Sequence, residues 1–145
     1  MRENNMKIEF DSVSENEGFA RVAVAAFASN LNPTLEEIED IKTAVSEAVT
    51  NAIIHGYPYS VEKIWLEASI REQTLFLQVK DNGCGIENIA KAMEPMYTTR
   101  PDLERSGMGF AFMEAFMDDI HIESQVNHGT TVFMKKTICG GEEQE

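Results

Sequence analysis

Three polar side chains interrupt an apolar stretch of the sequence at steps of four residues. They are Glu47, Asn51 and His55, within SEAVTNAIIHGY at positions 46–57. Four residues advance an α-helix by about 400°, so these side chains form one ridge that drifts ~40° per step. A carboxylate buried without a partner is costly and often marks pairing or function. The ridge could also be the solvent side of an amphipathic helix, and its spacing alone does not separate the two readings.

A second candidate is the run VKDNGCGI at positions 79–86, which directly follows a predicted strand. Asp81 would stand at the end of that strand, and Gly83 and Gly85 would permit a tight turn with close backbone approach. Asx-Gly pairs are also common in ordinary turns. The run therefore indicates a binding loop only in combination with other motifs.

A third candidate is the run ERSGMGFAFMEAF at positions 104–116, where Gly107 and Gly109 precede apolar residues at helical spacing. Exposed backbone N–H groups at the start of a helix bind anions such as phosphate. The spacing matches neither the P-loop nor the dinucleotide-binding fingerprint. A flexible loop that caps a helix is the alternative.

Hydrophobic periodicity and capping signals predict the elements that must position these residues. Ser14 with Glu17, and Thr34 with Glu37, have the spacing of capping boxes. Gly56 is placed to end the long second helix. The patterns predict helices over 14–30, 35–55 and 108–118, and strands over 6–13, 62–70, 74–81, 119–126 and 130–138.

Grouped helices and strands in hairpins predict an α+β fold. We expect a two-layer sandwich, in which a mostly antiparallel mixed sheet carries the helices on one face. The hairpin turn REQT at 71–74 lacks the glycine that such turns usually contain. Residues 1–138 are predicted to form a single domain, followed by a mobile acidic tail over 139–145.

Composition excludes several classes of function. The 145 residues carry a formal net charge of −13, which argues against a nonspecific grip on nucleic acid but not against a small anionic ligand. The acidity could serve solubility or attract a basic partner. Two cysteines far apart predict no disulfide framework, and no CxxC or HExxH spacing indicates zinc. No apolar run approaches the ~20 residues of a membrane span, and the N-terminus lacks a signal-peptide core, so we expect a cytoplasmic protein.

The order of the three motifs resembles one known family. A helix with Glu and Asn four apart, a strand-ending Asp with a GxG turn and a glycine loop before a helix are similar to the GHKL (Bergerat) ATP-binding fold of gyrase-type ATPases, Hsp90, histidine kinases and MutL. The late run GTTV at 129–132 adds a strand-opening Thr. The runs LEEIEDIKTAVSEAVTNAIIHGY and MYTTRPDLERSGMGF resemble the short anti-sigma-factor kinases of spore-forming and related bacteria. Within these, the sporulation group is more similar than the stress-response group.

This resemblance implies a role for each motif residue. Glu47 would orient the attacking hydroxyl and accept its proton, and Asn51 would be a Mg²⁺ ligand. Asp81 would accept a hydrogen bond from the adenine amino group, with Thr130 supporting the same contact. Gly83 and Gly85 would let the chain pass close to the base. His55 could line the ATP site or have a structural hydrogen-bonding role.

The resemblance also implies a phosphate loop and surfaces for partners. The phosphate-contacting residues would be Arg105, Ser106, Gly107 and Gly109, within or beside a lid over 93–106 that nucleotide orders. Arg105 could neutralise phosphate charge or simply lie on the surface. Partner proteins would contact the first helix, whose polar side could otherwise be a solvated face, at Glu15, Asn16, Glu17 and Arg21. The implied partners are a sigma factor and an anti-anti-sigma factor, bound by a homodimer.

The expected function is that of a Mg-ATP-dependent protein serine kinase that also sequesters a sigma factor. A nucleotide-dependent binding module without phosphotransfer is the alternative. A gyrase-like ATPase fragment is disfavoured, because the chain is too short to include a transducer domain and the Lys that such a domain supplies. For the same reason we do not expect fast hydrolysis of ATP. Histidine autokinase activity is not expected either, since no separate helical domain offers a phosphoacceptor His.

Overall fold

The computed structural model describes residues 3–93 and 110–140. Two short segments join the regular elements: a 3₁₀ turn over Ser29–Leu31 and a π-helical turn over Ala52–Gly56. The strands are β1 (Glu3–Asp11), β2 (Lys63–Arg71), β3 (Thr74–Asp81), β4 (Asp119–Gln125) and β5 (Gly129–Thr137). The α-helices are α1 (Glu15–Ala28), α2 (Leu35–Asn51), α3 (Ile89–Ala92) and α4 (Phe110–Phe116).

The five strands form one sheet in the order β1-β2-β3-β5-β4. Each of the four neighbouring pairs is antiparallel, so the described strands contain no parallel pair and the sheet is not mixed. The predicted α+β class and the antiparallel hairpins are confirmed. The short helix α3 lies in a region where the sequence predicted only turns. None of the helices in the described ranges is long and apolar enough to cross a bilayer.

One face of the sheet packs against the helices and forms the core. Buried side chains alternate along β2 and β3, as expected for a half-buried antiparallel sheet. The register places Leu66 opposite Val79 and Ile64 opposite Asp81. Asp81 therefore occupies the last position of an inward row that is otherwise apolar. The covering helices contribute Ala20, Val24, Ile41, Ala44, Val45, Ala48, Val49 and Met113.

The capping box predicted for α2 is confirmed. Glu37 N–H donates to Thr34 Oγ1 at 3.0 Å, and Thr34 N–H donates to the Glu37 carboxylate at 2.9 Å. The same carboxylate accepts the N–H groups of Cys139 at 2.7 Å and Gly140 at 3.1 Å. The chain after β5 is thus attached to the start of α2. Residues 141–145 lie outside the described ranges, and the mobility of the tail stays a prediction.

The capping box predicted for α1 is wrong. Ser14 already has helical backbone angles (φ −61°, ψ −27°), and its hydroxyl makes no capping hydrogen bond. An N-cap side chain reaches the N–H groups of the first turn from an extended conformation, which Ser14 lacks. The entrance of α1 is held instead by Asn16, whose side-chain amide donates to the Asp11 carbonyl at 2.9 Å.

The α-helix predicted over 35–55 ends at Asn51, and the chain continues as the π-helical turn. Tyr57 N–H donates to the Ala52 carbonyl at 3.1 Å, five residues back, which is the π-helical hydrogen bond. Gly56 is the last residue of this turn, close to the predicted end. His55 lies within this π-helical turn, four residues after Asn51.

The β2–β3 hairpin turns without glycine. Glu72 takes the left-handed conformation at φ 57° between the paired residues Arg71 and Thr74. Gln73 then exchanges hydrogen bonds with Ile138: Ile138 N–H donates to the Gln73 carbonyl at 2.8 Å, and the Gln73 side chain donates back at 3.1 Å. These contacts with the chain after β5 hold the turn that its own sequence does not favour.

Replacing Glu37 by Ala should lower the free energy of unfolding by about 1–3 kcal/mol, because three backbone N–H groups lose their acceptor. Burial alone would raise the pKa of Glu37, but hydrogen bonds from Thr34, Cys139 and Gly140 outweigh it and hold the pKa below its usual range. A lowered pKa stabilises the fold above the unfolded value near 4.5, and this contribution is lost as pH falls through the folded pKa.

Urea denaturation of the wild type and Glu37→Ala at pH 7 and at pH 3 measures both effects. The stability difference should shrink at pH 3. Glu36→Ala is the matched control, since Glu36 is the exposed neighbour in the same first turn. Equal losses for the two variants at pH 7 would contradict the assignment.

Candidate functional site

Two members of the predicted ridge, Glu47 and Asn51, lie on α2, and the third, His55, lies in the π-helical turn that follows. Glu47 and Asn51 are half-buried and lie one α-helical turn apart. Asn51 Nδ2 is buried and has no hydrogen-bond partner among the described residues. A buried polar atom without a partner is costly, and this one fits a site that a ligand completes. His55 is half-buried within the π-helical turn.

Asp81 is the most constrained polar residue of the site. It is 5% exposed, and its Oδ1 accepts the Gly83 N–H at 2.8 Å. Burial raises the pKa of Asp81 to about 6, against the lowering effect of backbone hydrogen bonds from Gly83 and Thr130. The carboxylate is therefore ionised at neutral pH, with accepting capacity that the backbone does not use fully.

The chain turns sharply after β3 over residues 81–84, which we call the Asp81 corner. Cys84 N–H donates to the Gly56 carbonyl at 2.9 Å, so the corner lies directly on the end of the π-helical turn. A Cβ atom at Gly83 would collide with that same carbonyl, and one at Gly56 would lie 2.9 Å from the Asp81 carboxyl group. Neither position accepts a side chain. The helix that carries Glu47 and the strand that carries Asp81 are thereby joined at backbone distance.

Tyr57 supports the corner, although no sequence motif assigns it a role. Its side chain is 8% exposed, its hydroxyl donates to the Lys63 carbonyl at 2.7 Å, and it accepts the Asn82 N–H at 2.6 Å. Burial raises the pKa of Tyr57, with the Asp81 and Glu62 charges adding to the rise and the Asn82 hydrogen bond opposing it. The hydroxyl therefore keeps its proton and acts as both donor and acceptor.

A hydroxyl network lies on the other side of Asp81. Thr130 is paired with Asp81 across the β3–β5 ladder. Its Oγ1 is 2.8 Å from Ser124 Oγ, which also donates to the Gly129 carbonyl at 3.2 Å and accepts the Ile86 N–H at 2.7 Å. Ser124 belongs to no motif, and only the register of β4 on β5 could have identified it.

The remaining predicted residues fall into three groups. Gly85 lies beyond the corner at φ 77°, a conformation that favours glycine. On α1, Arg21 Nε is 3.4 Å from Glu17 Oε2, a distance within ion-pair range but without hydrogen-bond geometry, and Glu15 is exposed. The residues of the predicted phosphate loop lie outside the described residues; they are Arg105, Ser106, Gly107 and Gly109. The predicted lid also lies outside them, except for Met93.

Replacing Asp81 by Asn should stabilise the nucleotide-free protein at pH 7 by up to about 3 kcal/mol. This is the free energy that corresponds to a rise in the pKa of Asp81 from 3.8 to about 6. The side-chain oxygen of Asn can still accept the Gly83 N–H. Because the pKa of Asp81 is raised in the folded state, burial of its charge does not destabilise the wild type below pH 3.8. The destabilisation develops as pH rises toward about 6. The variant's advantage should therefore grow from pH 4 to pH 7 in urea denaturation.

The exposed Asp119→Asn is the matched control and should change the free energy of unfolding by less than about 0.5 kcal/mol. An Asp81→Asn protein that is less stable than the wild type at pH 7 would show that the carboxylate is stabilised, not strained, by its surroundings.

Comparison with known proteins identifies the family to which this architecture belongs. A family model described as a histidine kinase-like ATPase domain matches residues 12–136. Among solved structures, the RsbU and RsbW domains of a Mycobacterium tuberculosis protein are similar with a TM-score of 0.69 at 20% identity, over 93% of this chain and 32% of that one. At that identity the structural likeness shows the fold alone.

Sequence relatives are much closer. An anti-sigma F factor of Clostridium kluyveri is 61% identical over 95% of this chain and 97% of its own length. Anti-sigma F factors of Clostridium acetobutylicum and Clostridium perfringens are 61% and 58% identical, over 96% and 94% of this chain and 97% and 98% of their own lengths. The chain belongs to the family of histidine kinase-like ATPase domains and, within it, to the anti-sigma F factors.

Proposed function

We propose that the protein is a Mg-ATP-dependent serine kinase that phosphorylates an anti-anti-sigma factor and binds and inhibits a sporulation sigma factor, sigma F. The observation that carries this proposal is the buried, ionised Asp81 at a backbone-to-backbone join with the helix of Glu47 and Asn51. A base-recognition group and a catalytic ridge are thereby held in one rigid frame. The names of the relatives support the sigma-factor part of the proposal.

Asp81 and Thr130 would select adenine. The 6-amino group of adenine is a donor and suits a carboxylate, whereas guanine presents an acceptor at the same position. The Ser124–Thr130 pair, with oxygens 2.8 Å apart, would hold the Thr130 hydroxyl ready to support this contact. A buried carboxylate with unused accepting capacity rejects a base that lacks the donor, because its desolvation is then only partly compensated.

Glu47 would act as the general base. The hydroxyl oxygen of the acceptor serine attacks the γ-phosphorus of ATP, the bond from that phosphorus to the bridging oxygen breaks, and ADP leaves. Glu47 accepts the proton of the attacking hydroxyl. Bound Mg²⁺ would neutralise charge on the phosphate oxygens, and the side-chain oxygen of Asn51 would be one of its ligands.

Partner binding completes the proposal. A homodimer would present α1, with Arg21, Glu17, Asn16 and Glu15, to the sigma factor and the anti-anti-sigma factor in the cytoplasm. The net charge of −13 favours association with a basic partner. Pulldown of cellular partners in ATP and in ADP, with light scattering for the dimer, tests identity, nucleotide dependence and stoichiometry. Recovery of a stress-response sigma factor in place of sigma F would assign the chain to the anti-sigma B type.

Adenine recognition should depend on pH. Asp81 must be ionised to accept the adenine amino group, so affinity should fall as pH drops below about 6. The phosphates of ATP titrate in the same range, and purine riboside 5′-triphosphate, which lacks only the 6-amino group, corrects for them. The preference for ATP over this analogue should fall roughly tenfold between pH 7 and pH 5 in calorimetric titrations. A constant preference would argue against Asp81 as the adenine acceptor.

Replacing Glu47 by Gln should lower the rate of serine phosphorylation on the anti-anti-sigma partner by about 10²–10⁴-fold, because the proton acceptor is removed. Binding of ATP and of the sigma factor should persist. Labelled ATP with the purified partner measures the rate, and Glu39→Gln on the exposed side of α2 is the matched control.

The same experiment distinguishes the alternative, a nucleotide-dependent binding module without phosphotransfer. If the wild type places no phosphate on the partner's serine while Glu47→Gln still exchanges partners normally, the kinase assignment is wrong and the binding module stands.

A further inference from the structure

The Tyr57 side chain bridges β2 and the chain after β3, at the point where the backbone pairing of the two strands ends. The register pairs Ile64 with Asp81, so Lys63 and Asn82 would form the next pair of the β2–β3 ladder. The Tyr57 hydroxyl lies between these two residues, donating to the Lys63 carbonyl and accepting the Asn82 N–H. A side-chain oxygen thus replaces a direct backbone contact, and the chain can leave the strand direction at Asp81.

The three amides after Asp81 are each held by a different group. Asn82 N–H is bound by the Tyr57 hydroxyl, Gly83 N–H by the Asp81 carboxylate and Cys84 N–H by the Gly56 carbonyl. Two of these acceptors are adjacent in the chain, at the end of the π-helical turn. Through its hydroxyl, the Tyr57 side chain bonds to both the corner and β2.

We propose that Tyr57 is a positioning residue for base recognition: its hydroxyl fixes the Asp81 corner so that the carboxylate faces the adenine amino group. Tyr57 does not touch the nucleotide in this arrangement. It acts through Asn82, the residue directly after Asp81. The proposal rests on the proposed function of Asp81 as the adenine acceptor and extends it to a residue behind the site.

Tyr57→Phe removes the hydroxyl and keeps the buried ring. The affinity for ATP should fall roughly tenfold, the equivalent of one well-placed hydrogen bond, while the affinity for purine riboside 5′-triphosphate should change less than about twofold. A merely structural tyrosine would weaken both nucleotides alike. Tyr59→Phe is the matched control, since Tyr59 is two residues away and 92% exposed.

A second readout needs no nucleotide. The Gly83 amide bonds to Asp81, so its NMR shift follows the ionisation of that carboxylate. Loss of the Tyr57 hydroxyl should let water reach Asp81 and move the titration midpoint from about 6 toward the ordinary value of 3.8, by half a unit or more. An unchanged midpoint, or equal losses for the two nucleotides, would overturn the positioning role.

The two readouts separate this proposal from the function on which it rests. A wild type that does not prefer ATP over the analogue contradicts adenine recognition by Asp81, and the nucleotide-free titration still decides whether Tyr57 positions the carboxylate. If Tyr57→Phe does not fold, the wild type provides the test. The Asn82 amide should then be protected from exchange and should titrate with the same midpoint as Gly83; an unprotected, non-titrating Asn82 overturns the proposal.

Discussion

The site depends on one crowded contact, where the end of the π-helical turn meets the chain that leaves β3. The Gly56 carbonyl accepts the Cys84 N–H at 2.9 Å, and the Asp81 carboxyl group fills the space that a side chain at position 56 would need. Glycine at positions 56 and 83 is therefore a steric requirement. Because backbone touches backbone here, a small displacement of the helix must move the corner with it, and the two halves of the site behave as one body.

This contact has an energetic cost that is concentrated on a single side chain. The inward row of β3 runs Leu75, Leu77, Val79 and then Asp81, so the fold buries a carboxylate at a position where packing alone favours an apolar residue. Backbone hydrogen bonds offset part of the cost and leave the rest for a ligand to satisfy. Stability and binding thus oppose each other at this residue, as is common at functional sites.

The sequence predicted the features that depend on local pattern, and it did not predict those that depend on tertiary contacts. Alternation and spacing were sufficient for the strands, the α2 cap, and the placement of Asp81 at a strand end. The π-helical turn was not predictable from local pattern, and its last residue, Gly56, contacts Cys84, which is distant in the sequence. Ser14 had the spacing of a cap but not the backbone angles. Tyr57 has no motif, since its partners become neighbours only through the β2–β3 register.

The attachment of the chain end to α2 has a practical consequence for spectroscopy. Cys139 lies against the first turn of α2, and Cys84 lies against the π-helical turn that follows the last. Both thiols are free and exposed, and they are the two cysteines of the sequence. The helix between them has 17 residues, about 25 Å at 1.5 Å per residue. The native chain thus carries a pair of labelling positions whose separation suits dipolar distance measurement, with one label at the site and the other on the fixed end of the fold.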